Sequence, residues 1–173
     1  MTYPMKIENG AGEVLIFERL VKLPDGDCLE VSNEVQPGAG PPMHAHFKQE
    51  ESLTVIEGKI GYQILGEEPQ FAEPGETVVF KPGVAHKFWA EGDNVLRCTG
   101  YVKPAHNIVY FLSEIYQSTK NNGGKKPDDF EAAYLLHKYR FFRTLCEKVM
   151  ARVRDIGPVY AINRAWPGHT FGV

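Results

Sequence analysis

Residues 37–58 have the sequence PGAGPPMHAHFKQEESLTVIEG, which carries most of the information about the fold and its chemistry. Within this stretch, His44 and His46 are separated by one residue. Alternate side chains of an extended strand lie on the same face, so the two imidazoles are expected to face a common point. Glu51 follows at the start of an apolar strand in which every second side chain is aliphatic. A carboxylate on that inward face needs a partner.

A third imidazole comes from His86, which begins a later strand after a turn that contains Pro82 and Gly83. Three imidazole nitrogens and one carboxylate oxygen form a ligand set that suits transition metals, with positions left for water or substrate. The sequence therefore predicts one divalent ion, which is Fe, Mn, Ni, Zn or Cu. Its predicted ligands are His44, His46, Glu51 and His86.

Short apolar segments separated by turn residues follow one another over residues 12–103. The predicted strands are 13–20, 28–35, 51–57, 60–65, 76–80, 86–90 and 94–102. Strands that are this short and this regularly spaced indicate a sandwich or a closed barrel.

The apolar period changes after Pro104 and predicts two helices. The first helix carries one apolar stripe and is terminated by residues 121–124. Its stripe consists of Ile108, Phe111, Leu112, Ile115 and Tyr116. The second helix is expected to begin at Asp128, with Glu131 completing a capping box, and to continue to about residue 153.

Residues 37–58 and 75–90 resemble the two sequence motifs of the cupin superfamily. The first motif is matched completely, by Pro37-Gly38, His44, His46, Glu51 and Gly58. The second motif is matched by Gly75, Gly83 and His86, but Lys81 replaces its proline and Ala90 replaces its asparagine. This resemblance implies a mainly β double-stranded β-helix, or jelly-roll, barrel with a C-terminal helical extension. Neither departure removes a metal ligand of the family.

Glu50 is an alternative fourth ligand, because its spacing from His46 also satisfies the first motif. Its own face of the strand would carry Ser52 and Thr54, which suit a barrel wall less well than aliphatic side chains. Glu51 is therefore the preferred ligand. Three further histidines lie outside both motifs and are interpreted as ordinary capping, surface and tail residues, namely His106, His137 and His169.

Two regions of opposite charge divide the chain. Residues 1–119 carry a net charge of −8, and residues 120–173 carry +5. The basic residues of the second region alternate with apolar ones at helical spacing, which indicates a solvated helix face or a helix docked on the acidic body rather than a surface for nucleic acid. We expect a cupin barrel in residues 1–104 and a helical extension in 105–173 that packs on the barrel or on the partner subunit of a homodimer.

The composition of the 173-residue chain is that of one globular domain, with 43% hydrophobic and 24% charged residues. Its three cysteines are odd in number and far apart, which argues against a disulfide framework. No apolar segment is long enough for a signal or a membrane span. The sequence therefore predicts a cytoplasmic protein that makes no contact with membranes.

Function has to be inferred from the site, because one fold can host many activities. The first hypothesis is a metal-dependent dioxygenase that acts on a small organic molecule, with Glu51 as the catalytic proton acceptor. The alternatives are an isomerase or lyase of sugars or keto compounds, and a small-ligand binding protein without catalysis. Phe88 shares the face of His86 and is the predicted pocket residue.

Overall fold

Nine strands and two helices make up residues 2–139, the part of the chain that the computed structural model describes. The strands are β1 (Met5–Glu8), β2 (Glu13–Val21), β3 (Cys28–Val35), β4 (Glu50–Glu57), β5 (Ile60–Ile64), β6 (Gln70–Ala72), β7 (Thr77–Phe80), β8 (His86–Ala90) and β9 (Leu96–Lys103). The helices are α1 (Ile108–Asn121) and α2 (Asp129–Lys138). The predicted class, a mainly β cupin fold followed by C-terminal helices, is confirmed.

The strands form two antiparallel sheets. One sheet has the strand order β1-β2-β3-β9-β4-β7, and the other has the order β6-β5-β8. Burial alternates strictly along β3, as expected for a strand with one face turned to a core. Side chains of both sheets pack into one hydrophobic cluster, which includes Val35, Leu53, Val55, Leu96, Ile60, Phe88 and Ala90. The core therefore lies between the two sheets.

Helix α1 covers a second hydrophobic cluster on the larger sheet. Ile108 is fully buried, and Val109 and Tyr116 are nearly so. They pack with apolar side chains of β2, β3 and β9, which are Leu15, Phe17, Leu29, Val31 and Val102. The remaining members of the predicted stripe lie at the margin of this cluster and are partly buried. Packing against the sheet thus gives α1 its amphipathic pattern.

Helix α2 begins where the sequence predicts, but its capping arrangement differs. The Asp128 carboxylate accepts hydrogen bonds from the backbone nitrogens of Phe130 and Glu131, at 3.0 and 3.1 Å. The prediction that Glu131 completes a capping box is wrong. Its carboxylate instead accepts a hydrogen bond from the Ser118 hydroxyl of α1, at 2.5 Å. The Asp128 backbone nitrogen donates to that same Ser118 hydroxyl at 3.3 Å. A neighbouring helix therefore supplies the partner that a capping box would otherwise provide.

Two short strands, β1 and β6, have no counterpart among the sequence predictions. They contain four and three residues and lie at sheet edges, where few contacts impose a pattern. The predicted continuation of α2 to residue 153 lies outside the described residues. The division of the chain at residue 104 stays a prediction. Neither helix in residues 2–139 is long and apolar enough to cross a membrane.

Candidate metal centre

The segment that carries His44 and His46 is a loop held to the start of β8, rather than the extended strand that the sequence predicts. His44 and His86 form an isolated antiparallel bridge, in which each backbone nitrogen donates to the other residue's carbonyl oxygen at 2.8 Å. Pro41 and Pro42 have no amide hydrogen with which to extend this pairing. The two segments are therefore joined by an isolated bridge and not by a continuous ladder. The backbone nitrogen of Gly83 donates to the His46 carbonyl oxygen at 2.8 Å and fixes the far end of the segment.

A tight turn over residues 81–84 positions His86. The backbone nitrogen of Val84 donates to the Lys81 carbonyl oxygen at 3.1 Å, with Pro82 and Gly83 at the two central positions. Gly83 has a φ of 80°, which is the left-handed conformation that the second central residue of a type II turn requires. The turn brings β8 back towards β5, and His86 becomes its first residue.

The four predicted ligands converge. Oε2 of Glu51 lies 3.2 Å from Nε2 of His46, 3.2 Å from Nε2 of His86 and 4.0 Å from Nε2 of His44. The Nε2 atoms of His44 and His46 are 3.1 Å apart. One ligand atom from each residue lies within 4.8 Å of all the others. Four side chains from separate places in the sequence thus surround one small volume.

Backbone carbonyl groups set the orientation of two imidazoles. Nδ1 of His44 donates to the Pro42 carbonyl oxygen, and Nδ1 of His86 donates to that of Val84, both at 2.8 Å. Because a carbonyl oxygen only accepts, the proton of each neutral ring lies on Nδ1 and its Nε2 lone pair points into the cluster. Nδ1 of His46 is buried and has no hydrogen-bond partner among the described residues.

Nε2 of His46 can carry a proton beside Glu51, because no bond at Nδ1 fixes the tautomer of that ring. The Nε2 lone pairs of His44 and His86, however, face the Glu51 carboxylate oxygen. That arrangement is electrostatically unfavourable unless a cation lies at the centre. Imidazole nitrogens with one carboxylate oxygen are a donor set for a divalent transition metal. The residues present therefore fit the metal that the sequence predicts.

Two of the four residues, His44 and Glu51, have the protonation states of metal ligands. Burial lowers the pKa of His44 to about 4, so its imidazole is neutral near neutral pH. Burial alone would raise the pKa of Glu51, but its contacts with His46 and His86 hold that pKa well below the ordinary range. The carboxylate is consequently ionised, and a metal does not have to displace a proton from either group.

Exposure differs among the four side chains. His86 is 1% exposed, and His46 and Glu51 are 10% and 13% exposed, whereas His44 is 30% exposed. The cluster is therefore closed on the side of His86 and open beside His44. A small molecule would approach it from that side.

Phe80 contributes to the cluster although the sequence did not single it out. Its ring stacks on the His86 imidazole, with centroids 3.9 Å apart and an angle of 5° between the planes. Phe80 also lies opposite Glu51 in the pairing of β4 with β7. The alternation of β7 places Val78 and Phe80 inward, which was the available signal, but the register against β4 could not be derived from the sequence.

Two other predictions concern residues near the cluster. Glu50, the alternative ligand, accepts a hydrogen bond from the Tyr101 hydroxyl at 2.7 Å and is absent from the converging group. Phe88 shares the buried face of β8 with His86, as its spacing predicts. It packs within the core cluster between the sheets, and its role in a pocket stays a prediction.

Comparison with known proteins agrees with this interpretation. Residues 31–101 match the family model of the cupin domain, and this range contains all four converging residues. The chain therefore has a cupin domain, as its two motifs predict.

Similarity to individual proteins is limited in extent. Over 56 residues the chain is 34% identical to a probable oxidoreductase, virH, from Hypocrea virens, which is 32% of this chain and 26% of that protein. The chain thus matches about a quarter of the relative's length. Among solved structures, KdgF from a Halomonas species is 18% identical with a TM-score of 0.46, over 57% of this chain and 84% of that one. A cupin-like protein from Thermotoga maritima, tm1010, is 22% identical with a TM-score of 0.46, over 54% and 70%.

Proposed function

We propose that the cupin domain binds one divalent transition metal on His44, His46, Glu51 and His86 and acts on a small organic molecule as a metal-dependent oxygenase. The observation that carries this proposal is the convergence of one potential ligand atom from each of four residues, two of which, His44 and His86, are oriented by backbone hydrogen bonds. Such a buried group would be costly without a cation. When bound, the metal supplies Lewis-acid chemistry and, for Fe, Mn or Cu, one-electron redox chemistry.

Glu51 has the properties of a proton acceptor in this proposal. Its carboxylate is ionised near neutral pH and lies at the centre of the cluster, between His46 and His86. A substrate hydroxyl that enters beside His44 could transfer its proton to Glu51 as the substrate ionises. Phe80 and the backbone bonds of the two histidines would hold the surrounding rings in place during that step.

The choice of an oxygenase over an isomerase or lyase rests on the similarity to a probable oxidoreductase. That similarity covers only part of the relative, so the redox activity is proposed for this chain as a hypothesis to be tested. A small-ligand binding protein without catalysis would use the same four side chains. The three functions differ in what they consume and release.

The test is a substrate screen with purified protein loaded separately with Fe, Mn, Ni, Zn or Cu. Aromatic diols, flavonols, diketones and sugars are offered, and oxygen uptake and product formation are followed together. An oxygenase consumes oxygen in proportion to product. Product without oxygen uptake would favour the isomerase or lyase, and saturable binding without product from any metal form would favour the binding protein.

A Glu51→Gln variant tests the proton-acceptor role. Glutamine keeps the size and one potential ligand oxygen of Glu51 but removes most of its basicity. With excess metal to restore occupancy, the variant should still bind the substrate but turn it over about 100-fold or more slowly. Unchanged turnover at full occupancy would exclude Glu51 as the proton acceptor.

A further inference from the structure

Strand β1 leaves one edge of the larger sheet without a partner. Within residues 2–139 it stands at the end of the strand order and pairs only with β2. An open edge presents backbone N–H and C=O groups with which a further strand can pair. Lys6 and Glu8 are exposed, whereas Met5 and Ile7 are partly buried. One face of the strand is thus charged and the other is apolar.

The pairing with β2 determines which backbone groups of β1 face the open edge. The backbone nitrogen of Asn9 donates to the Glu13 carbonyl oxygen at 3.1 Å, so these opposite residues form a hydrogen-bonded pair. Along an antiparallel ladder such pairs alternate with pairs that exchange no backbone bond. Ile7, two residues from Asn9, is therefore bonded to β2, while the backbone groups of Lys6 and Glu8 point to the open edge.

A groove beside this edge leaves space for a second chain. It has a volume of about 380 Å³ and lies between residues 6–8 of β1 and helix α1. Ser113, Gln117 and Lys120 line its helical side. Ile7 lies at the margin of the hydrophobic cluster that α1 covers and is only partly buried. A strand paired with β1 would bury the rest of Ile7 and extend that cluster.

The charges of β1 indicate which strand and which register fit the edge. Antiparallel pairing with a second copy of β1, centred on Ile7, places Lys6 of each copy opposite Glu8 of the other. Both residues have free backbone groups there, so they can form a hydrogen-bonded pair. Opposite charges at facing positions stabilise a strand pair, and like charges destabilise it. Centring on Lys6 or on Glu8 would bring identical charges together, and a shift by one residue would place charged side chains on the apolar face.

We propose that β1 pairs antiparallel with β1 of a second copy, centred on Ile7, so that the larger sheets of two chains form one continuous sheet. Within residues 2–139 Glu8 forms an ion pair with Lys120, whereas Lys6 forms none. Glu8 of the second copy supplies the counter-charge for Lys6. The homodimer predicted from the sequence then forms through β1 rather than through the basic C-terminal region. This interface is independent of the metal centre, so either could be absent without the other.

A cross-linking experiment tests the position of the two-fold axis. In the proposed register the two Ile7 residues face each other as a pair without backbone bonds, and Cα atoms in such pairs are about 4.5 Å apart. That spacing permits a disulfide. Full-length Ile7→Cys protein should therefore form an inter-chain disulfide at position 7 under mild oxidation. Met5→Cys is the matched control, because Met5 shares the strand and its apolar face but lies about 13 Å along the strands from its own copy.

Non-reducing electrophoresis measures the linked fraction, and mass spectrometry of the linked peptides locates the bond. The wild type measures the background from the three natural cysteines. The linked fraction of Ile7→Cys should exceed that of Met5→Cys by about tenfold. Equal fractions, or no bond at position 7, would overturn the proposal.

Charge reversal tests the register and leaves the apolar face unchanged. Lys6→Glu alone places carboxylates opposite each other, and Glu8→Lys alone places ammonium groups opposite each other. Each variant should weaken the dimer by about tenfold or more. An equimolar mixture of the two variants should regain dimers, because their reversed charges complement each other. Lys22→Glu, the same change at an exposed lysine outside β1, should keep the wild-type dissociation constant.

Light scattering coupled to size-exclusion chromatography, over a range of protein concentrations, measures the mass and the dissociation constant. Lys6 and Glu8 are exposed, so neither reversal should unfold the chain. The wild type should have twice the mass of one chain. A wild type that is monomeric at every concentration would mean that the two charges protect the edge from pairing, and would overturn the proposal. A dimer that neither reversal weakens, or that the mixture does not restore, would overturn it as well.

Discussion

At the scale of single residues, the main chemical feature of the fold is that two carboxyl groups, those of Glu13 and Glu51, lie largely buried on the larger sheet. Glu51 is stabilised as an anion by His46 and His86. Among residues 2–139 Glu13 has no positively charged partner, and burial raises its pKa instead. The two carboxyl groups are therefore expected to differ in protonation near neutral pH, although both belong to the same sheet.

Glu13 should make the stability of the protein depend on pH. Its pKa is about 7 in the folded state, against an ordinary value of 4.5, so the folded state holds the proton more tightly. The stabilisation is complete below about pH 4.5 and is lost as the pH rises through 7. Between pH 5 and 8 the free energy of unfolding of the wild type should fall, relative to Glu13→Gln, by on the order of 2 kcal/mol.

Chemical denaturation at both pH values, with a chelator present so that metal binding does not contribute, measures this difference. Glu34→Gln is a suitable control, because the Glu34 side chain is exposed and forms an ion pair with Arg97. Identical pH dependence in the wild type and in Glu13→Gln would show that Glu13 does not hold its proton in the folded protein.

The convergence of the four residues at the candidate metal centre could be predicted from the sequence, but most of the residues around them could not. The spacing of His44, His46 and Glu51 predicts convergence because alternate side chains share a face. Phe80 and Tyr116 reach the interior through the register of β4 with β7 and the packing of α1, which depend on the whole fold. Glu13 had a local signal, since it lies on the same face of β2 as the buried residues Leu15 and Phe17.

At the scale of secondary structure elements, α1 provides part of the interior. Ile108 is fully buried at its beginning, whereas Tyr110, two residues later, is 53% exposed. Replacing Ile108 with alanine leaves a cavity and should reduce the free energy of unfolding by about 2–4 kcal/mol. Tyr110→Ala, in the same helix turn, should change it by about 0.5 kcal/mol or less. Denaturant unfolding of both variants checks this, and equal losses would contradict the packing of α1 on the sheet.

Most strands could be predicted from turn residues and alternation, and the regions that differ have a physical explanation. β3 and β8 match their predictions residue for residue, because polar turns flank them clearly. The segment before β4 was expected to be a strand, but its prolines limit it to an isolated bridge. The cap of α2 depends on Ser118, a residue of another helix, so no local rule could identify it.

At the scale of the whole molecule, the helices and the barrel are expected to be interdependent. Chain truncation after Pro104 would remove α1 and expose its apolar partners on the larger sheet, including Phe17 and Leu29. We therefore predict that a protein of residues 1–104 aggregates, whereas the full chain stays in solution. Size-exclusion chromatography distinguishes the two. A soluble, metal-loaded monomer of residues 1–104 would show that the helical extension is dispensable.

The quaternary structure and the cellular location stay predictions. The expected homodimer was inferred from a basic helical region beside an acidic barrel, and residues 140–173 of that region lie outside the described part of the chain. The fold class and the cupin domain, by contrast, follow from the two motifs and are confirmed. Local spacing determines a metal-binding motif, whereas an interface depends on surfaces that form only after folding.

The most direct test of the metal centre is elemental analysis of purified protein, combined with single substitutions of the histidines. The wild type should contain about one transition metal per chain. His44→Ala and His86→Ala should each lower that content strongly, and the double variant should contain essentially none. His137→Ala, on the exposed side of α2, should retain the wild-type content. A fully loaded double variant, or a wild type that binds no transition metal under any loading condition, would contradict the proposed centre.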